Sequence, residues 1–181
     1  MKIRLARDLQ TDSIVDGEGI RTVIWTQGCI HNCKGCHNPE THSLNEGFLV
    51  EVNEILEQVS KLEGQTGITF SGGDPMLQPK ECAKIAKFAK KEGLNIWCYT
   101  GYTYERLLEL SKENKDILEF LNYIDYLVDG PFILSLKSFD VKFRGSKNQR
   151  IIDVVKSLKE NKIIEKEDYI KGNKINKKVY I

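Results

Sequence analysis

Three of the five cysteines fall within eight residues, in the stretch Cys29-Ile30-His31-Asn32-Cys33-Lys34-Gly35-Cys36. The rest of the chain has to be organised around this loop. C-x3-C-x2-C spacing lets three thiolates converge on one inorganic centre, and soft thiolates select iron–sulfur clusters, zinc or Cu(I). Three donors are one short of the four that close a structural metal site. A centre held this way keeps an open position where chemistry can happen. The odd cysteine count and the crowding argue against disulfides and for a metal loop in a reducing cytosol. Cys82 and Cys98, on a helix face and in a strand, read as small buried hydrophobes.

The chain has 181 residues, enough for one well-buried core and short for two domains. With 27 basic and 26 acidic residues the net charge is +1, which makes no case for nucleic acid or an anionic membrane surface. Met1 to Leu9 carries Lys2, Arg4, Arg7 and Asp8 and no apolar signal core. No apolar run reaches the roughly 18 residues of a membrane helix. The expectation is a single cytoplasmic domain over 1–181. From about Lys156 a Lys-rich extension holds eight lysines against four acidic residues. Such a tail either docks an acidic partner or stays mobile and solubilising.

Ile3 to Ala6 reads as a short strand, and Thr11 to Gly19 as turns. Thr22 to Thr26 is β-branched and aromatic, a strand that delivers the cysteine loop. Val52, Ile55, Leu56, Val59 and Leu62 recur at helical spacing, as do Cys82, Ile85, Ala86 and Ala89. Strands are expected at Ile68–Phe70, Leu94–Thr100, Ile124–Val128 and Ile151–Val155. Between the second and third of these, Tyr104 to Leu121 forms one broken helix or two short ones. Lys80, Lys84, Lys87 and Lys91 mark a solvated helix face. Strands alternating with helices imply βαβ units and a mostly parallel sheet. The units are too few for a closed eight-fold barrel, so an open, partial (β/α) barrel is expected.

Several motifs admit two readings. Cys33-Lys34-Gly35-Cys36-His37 matches c-type haem attachment, but that leaves Cys29 unexplained and belongs to exported proteins. Zinc would need a fourth ligand, His31 or His42. Ser71-Gly72-Gly73-Asp74-Pro75, between a strand and a helix, is turn chemistry or a place where backbone approaches a ligand. Val128-Asp129-Gly130-Pro131-Phe132 ends a strand, where α/β folds place ligands, yet Asp-Gly-Pro alone makes a turn. Phe143 to Arg150 reads as a solvated loop or as a group of strong hydrogen-bonding side chains around Gly145.

Taken together these residues resemble the radical S-adenosylmethionine enzymes. In that superfamily three cysteines hold a [4Fe-4S] cluster and S-adenosylmethionine chelates the fourth iron. The resemblance runs from Asp16 to about Val154. It implies Cys29, Cys33 and Cys36 as cluster ligands, and Gly72, Gly73 and Asp74 as the turn that receives the cofactor's amino group. Asp74 stands where glutamate is usual. On this reading Gly73→Val blocks cofactor approach and leaves the cluster intact. One branch is particularly similar, the activating proteins of anaerobic (class III) ribonucleoside-triphosphate reductase. The features that match it are Gly35 in place of an aromatic residue, Asp16-Gly17-Glu18-Gly19-Ile20-Arg21 with Glu18 for proline, Asp-Gly-Pro-Phe, and Arg-Gly-Ser-x-Asn-Gln-Arg.

The resemblance further implies a radical-SAM-type barrel, with Gly35, Cys36, His37, Asp129 and Arg144 also on the cofactor. Arg144 and its neighbours would serve the cofactor carboxylate or partner docking. It implies reductive cleavage of S-adenosylmethionine to a 5′-deoxyadenosyl radical, which generates a glycyl radical on the reductase large chain. A low-potential donor such as a flavodoxin would supply the electron, since cluster potentials span about −700 to +450 mV and this cleavage needs the low end. Activation of another glycyl-radical enzyme and 7-carboxy-7-deazaguanine synthase-like chemistry remain as enzymatic alternatives. A non-catalytic zinc-binding module is the alternative from a different class.

Overall fold

Four largely buried strands form the centre of one sheet. A computed structural model describes residues 1–170. Strands β3 (Arg21–Thr26), β5 (Gly67–Gly72), β6 (Asn95–Tyr99) and β7 (Tyr126–Asp129) lie side by side and parallel. The remaining strands are antiparallel to their neighbours. They are β1 (Lys2–Leu5), β2 (Gln10–Ser13), β4 (Phe48–Glu51) and β8 (Arg150–Asp153). The order β4-β1-β3-β5-β6-β7-β8, with β2 also on β3, leaves the sheet open. It is a mixed α/β architecture with a mostly parallel centre.

The helices α1 (Val52–Ser60), α2 (Pro79–Lys91), α3 (Tyr104–Leu110) and α4 (Lys115–Leu121) lie between successive parallel strands. Val52, Ile55 and Val59 of α1 and Cys82, Ile85, Ala86 and Ala89 of α2 are buried. They share one core with Ile24, Ile68, Phe70, Ile96, Cys98 and Leu127 of the sheet. Lys80, Lys84, Lys87 and Lys91 are exposed. The expected broken helix is two helices, because Asn114 accepts from Asp116 N–H at 3.0 Å and so starts α4 afresh.

Strand alternation turns the other set of side chains, including Trp25, Ser71 and Tyr99, toward the opposite face, where they line a cavity. Lower on that face Arg21 is fully buried. Its Nε donates to Thr69 Oγ1 at 2.6 Å. Nη1 reaches the Glu18 carbonyl (2.8 Å) and Asn95 Oδ1 (2.7 Å), and Nη2 the carbonyls of Ile68 (2.7 Å) and Asn95 (3.2 Å). All five donors are used, and no carboxylate is among the acceptors. Burial lowers this guanidinium's pKa to about 10. Arg21→Lys cannot serve these acceptors in one plane. It is expected to cost roughly 2–4 kcal/mol, read from the denaturant midpoint.

The structure corrects the expected end of the last strand. The strand expected at Ile151–Val155 stops at Asp153, whose carboxylate caps α5 (Val154–Glu160) by accepting from Lys156 N–H at 3.0 Å. Residues 164–169 then fold back onto the sheet. Asp153 N–H bonds the Ile164 carbonyl (2.8 Å) and Lys166 N–H the Ile151 carbonyl (2.8 Å). Lys166 pairs with Glu18 at 3.2 Å, and the hydroxyl of Tyr169, within α6 (Glu167–Ile170), donates to Glu18 at 2.6 Å. Glu18, the residue in place of proline, is thus an anchor for the chain's C-terminal segment. Lys171, Lys174, Lys177 and Lys178 of the Lys-rich extension lie outside the described residues.

Candidate metal and cofactor site

The cysteine loop leaves the C-terminal end of β3 and is tied down by backbone bonds. Gly28 N–H meets the Thr41 carbonyl at 2.9 Å and Cys29 N–H the His42 carbonyl at 3.1 Å. Cys36 N–H closes a turn onto the Cys33 carbonyl at 3.1 Å. The glycine turn after β5 supports the loop from beneath. Gly73 N–H donates to the Thr26 carbonyl (2.7 Å) and Asp74 N–H to the Gly28 carbonyl (2.8 Å). The two motifs, some forty residues apart in sequence, are thereby adjacent.

Cys29, Cys33 and Cys36 all line one cavity of about 380 Å³, within the 300–1,000 Å³ usual for ligand sites. Gly72, Gly73, His37, Arg144 and Gln149 line it too. Gly35 is not in the wall. A Cβ there would lie 2.9 Å from Leu134 Cδ1, and its φ of +75° suits glycine. Leu134 therefore occupies the space an aromatic side chain would need.

The electrostatics suit a bound metal group. Burial pushes the Cys29 and Cys36 thiols up, against the pull of neighbouring backbone N–H groups. Metal binding must therefore displace protons. Asn38 N–H points at Cys36 Sγ at 3.4 Å and would stabilise a thiolate there. Cys82 and Cys98 are fully buried, and burial holds both thiols well above the ordinary range.

The donor set fits a cluster better than a single ion. Cys29, Cys33 and Cys36 bring three soft thiols to one cavity, and a cluster gives each thiolate its own iron, whereas a closed zinc site takes four ligands. His31, a possible fourth zinc ligand, is bonded through Nε2 to Asp74 Oδ2 at 2.7 Å.

Two expected site residues sit behind the wall. Asp74 is 1% exposed and is surrounded by donors from the protein itself. Asp129 is equally buried. It accepts from Tyr104 N–H at 2.8 Å and pairs with Arg150, which also grips Glu105. Gly130, next to Asp129, reaches the cavity. Arg144 does reach it. Its Nη atoms donate to the Gln149 and Tyr169 carbonyls at 3.1 and 3.0 Å, while Nε is buried with no partner among the described residues. Asn148 turns away to the Pro131 carbonyl at 2.8 Å. Gln149, which sequence reasoning left without a role of its own, holds the loop by accepting from Gly145 and Ser146 N–H.

An open α/β sheet with a three-cysteine loop at its C-terminal edge defines a class of single-cluster iron–sulfur proteins, and residues 15–152 match the 4Fe-4S single cluster domain family. The chain is 35% identical over 147 residues to the anaerobic ribonucleoside-triphosphate reductase-activating protein of Enterobacteria phage T4, covering 76% of this chain and 86% of that one. It is 35% identical to the protein of the same name from Haemophilus influenzae (76% and 90% covered) and 34% to that of Escherichia coli K12 (75% and 90%). The chain belongs to this family of activating proteins.

Proposed function

We propose that this protein is the radical S-adenosylmethionine activase that generates a glycyl radical on anaerobic ribonucleoside-triphosphate reductase. The observation that carries the reading is the meeting of three thiols, the Gly72–Gly73 backbone and Arg144 around one cavity. Cys29, Cys33 and Cys36 would hold a [4Fe-4S] cluster. When bound, that group supplies the electron for cleaving S-adenosylmethionine, the source of a hydrogen-abstracting radical. The open sheet is on this reading the partial (β/α) barrel of the superfamily, and the chain a single domain.

The residues have separable tasks. Gly72 and Gly73 give bare backbone at the cavity wall, where an added Cβ would meet the backbone of Thr26 and Gly28. Arg144 brings a guanidinium to the cavity wall, where a cofactor carboxylate would be received, and His37, against Phe132 at 5.0 Å, borders the same space. Exposed Val15 at the cavity rim, with Ile133, Leu134 and Leu136 beyond Phe132, provides apolar surface that a protein partner would cover. A low-potential donor such as a flavodoxin would deliver the electron.

The test is to mix reconstituted protein with the reductase, S-adenosylmethionine and a reductant, and to count protein radicals by electron spin resonance. A radical that forms better on pyruvate formate-lyase would overturn the branch. Absence of any cluster would overturn the superfamily. Arg144→Ala is expected to raise the cofactor Kd roughly tenfold or more, the worth of a hydrogen bond to a charged group at about 1.5–3 kcal/mol. It should also lower radical yield more than iron content. Unchanged binding would remove Arg144 from the cofactor.

A further inference from the structure

We infer that the Asp74 carboxylate does not receive the cofactor's amino group but, through His31, pins the middle of the cysteine loop to the sheet. The inference rests on the cluster reading of the loop. A carboxylate has about four acceptor positions, and four donors of the protein itself surround that of Asp74. Oδ1 accepts from Met76 N–H at 2.9 Å and from the Thr100 hydroxyl at 3.0 Å. Oδ2 accepts from Gly101 N–H at 3.0 Å and faces His31 Nε2 at 2.7 Å. The Thr100 hydroxyl also lies 2.9 Å from Oδ2. An ammonium group would have to displace one of these donors and leave it buried without a partner, which is unfavourable. With Asp74 accepting, Nε2 is the protonated nitrogen of the ring.

His31 is the one loop side chain between Cys29 and Cys33 that reaches down to the sheet. Its ring stands edge-on to Tyr102 at 4.5 Å. It also rests on Gly101, where an added Cβ would come within 2.6 Å of His31 Cγ. Asp74, Thr100 and Gly101 belong to the ends of β5 and β6, so one side chain links the loop to two parallel strands. His31 and Asp74 are positioning residues, and they set the separation of Cys29 and Cys33 without touching the reacting atoms.

The experiment is a double-mutant cycle on reconstituted protein, using His31→Gln, Asp74→Asn and the pair. Three quantities are followed: the rate of iron release to a ferrous chelator, the spin-resonance spectrum of the reduced cluster, and affinity for S-adenosylhomocysteine and its deaminated analogue. Each single variant is expected to release iron about tenfold faster or more, with an altered spectrum, and the pair no faster than the quicker single, since residues acting as a unit are not additive. Asp74→Asn should leave the affinity ratio of the two ligands unchanged. Gly101→Ala, which pushes the ring aside, should copy His31→Gln. Parental iron release in His31→Gln, or additive effects in the pair, would overturn the inference, as would a ligand ratio falling toward one in Asp74→Asn. Should Asp74→Asn fail to fold, His31→Gln and Gly101→Ala decide it by their iron release. A parent that assembles no cluster defeats the proposed function instead, and the two failures are distinct.

Discussion

Cys29→Ala, Cys33→Ala and Cys36→Ala should each purify with almost no cluster, while Cys82→Ala and Cys98→Ala keep iron and sulfide at the parental level. Each loop thiolate would hold its own iron, so losing one leaves an under-ligated cluster with no substitute nearby. Cys82 is buried in α2 with its Sγ 3.7 Å from the Pro75 carbonyl, and Cys98 lies in β6 with its Sγ 3.7 Å from the Tyr99 carbonyl. Neither lines the cavity, and both thiols are held protonated by burial. Replacing either removes one sulfur from a packed core. The cost is about 1 kcal/mol, visible as a small fall in melting temperature. The measurements are iron and sulfide per chain and absorption near 400 nm after anaerobic reconstitution. Iron loss in Cys98→Ala equal to that in Cys36→Ala would defeat the ligand assignment.

The parallel core was legible because its strands are buried on both faces. Thr22–Thr26 and Ile68–Phe70 read as apolar runs, and a run of that kind has few alternatives. Helices α1 and α2 were legible for the complementary reason, one apolar stripe each. Strands β2 and β4 were not. Gln10–Ser13 is polar and Phe48–Leu49 is exposed, and each is a strand only because β3 or β1 offers it unpaired backbone groups. The folding back of Lys166 and Tyr169 onto Glu18 joins residues about 150 positions apart, which local pattern does not encode. In the site, sequence placed the motifs at strand ends but not the direction of their side chains. Asp74 and Asp129 follow β5 and end β7 as expected, and both carboxylates turn inward because nearby N–H groups, His31 and Arg150 compete for them.

Gly73→Val should lose most of its cluster as well as its affinity for S-adenosylmethionine. The motif reading suggested a different result, cofactor affinity lost with the cluster intact, on the view that a side chain there blocks only the ligand. The geometry gives Gly73 an additional task. A Cβ at this position would collide with the Gly28 carbonyl oxygen and sit 2.7 Å from its carbon and 2.9 Å from its nitrogen. These are backbone atoms, so no rotamer change relieves the contact, and Gly28 directly precedes Cys29. The same carbonyl accepts from Asp74 N–H at 2.8 Å, so displacing Gly28 also breaks a bond that joins the two motifs. Even Gly73→Ala should lower iron per chain, and valine should take it below about half the parental value, since overpacking against fixed backbone costs roughly 1–3 kcal/mol or more. Gly64→Ala is the control. Its φ of +70° brings strain of about 1 kcal/mol, yet a Cβ there meets nothing within 4 Å, so cluster and cofactor binding should stay parental. Iron content and cofactor affinity measured on the same preparations separate the two accounts. Full iron with weakened affinity in Gly73→Val would mean that the turn only shapes the ligand's approach, while joint loss means that it also carries the cysteine loop.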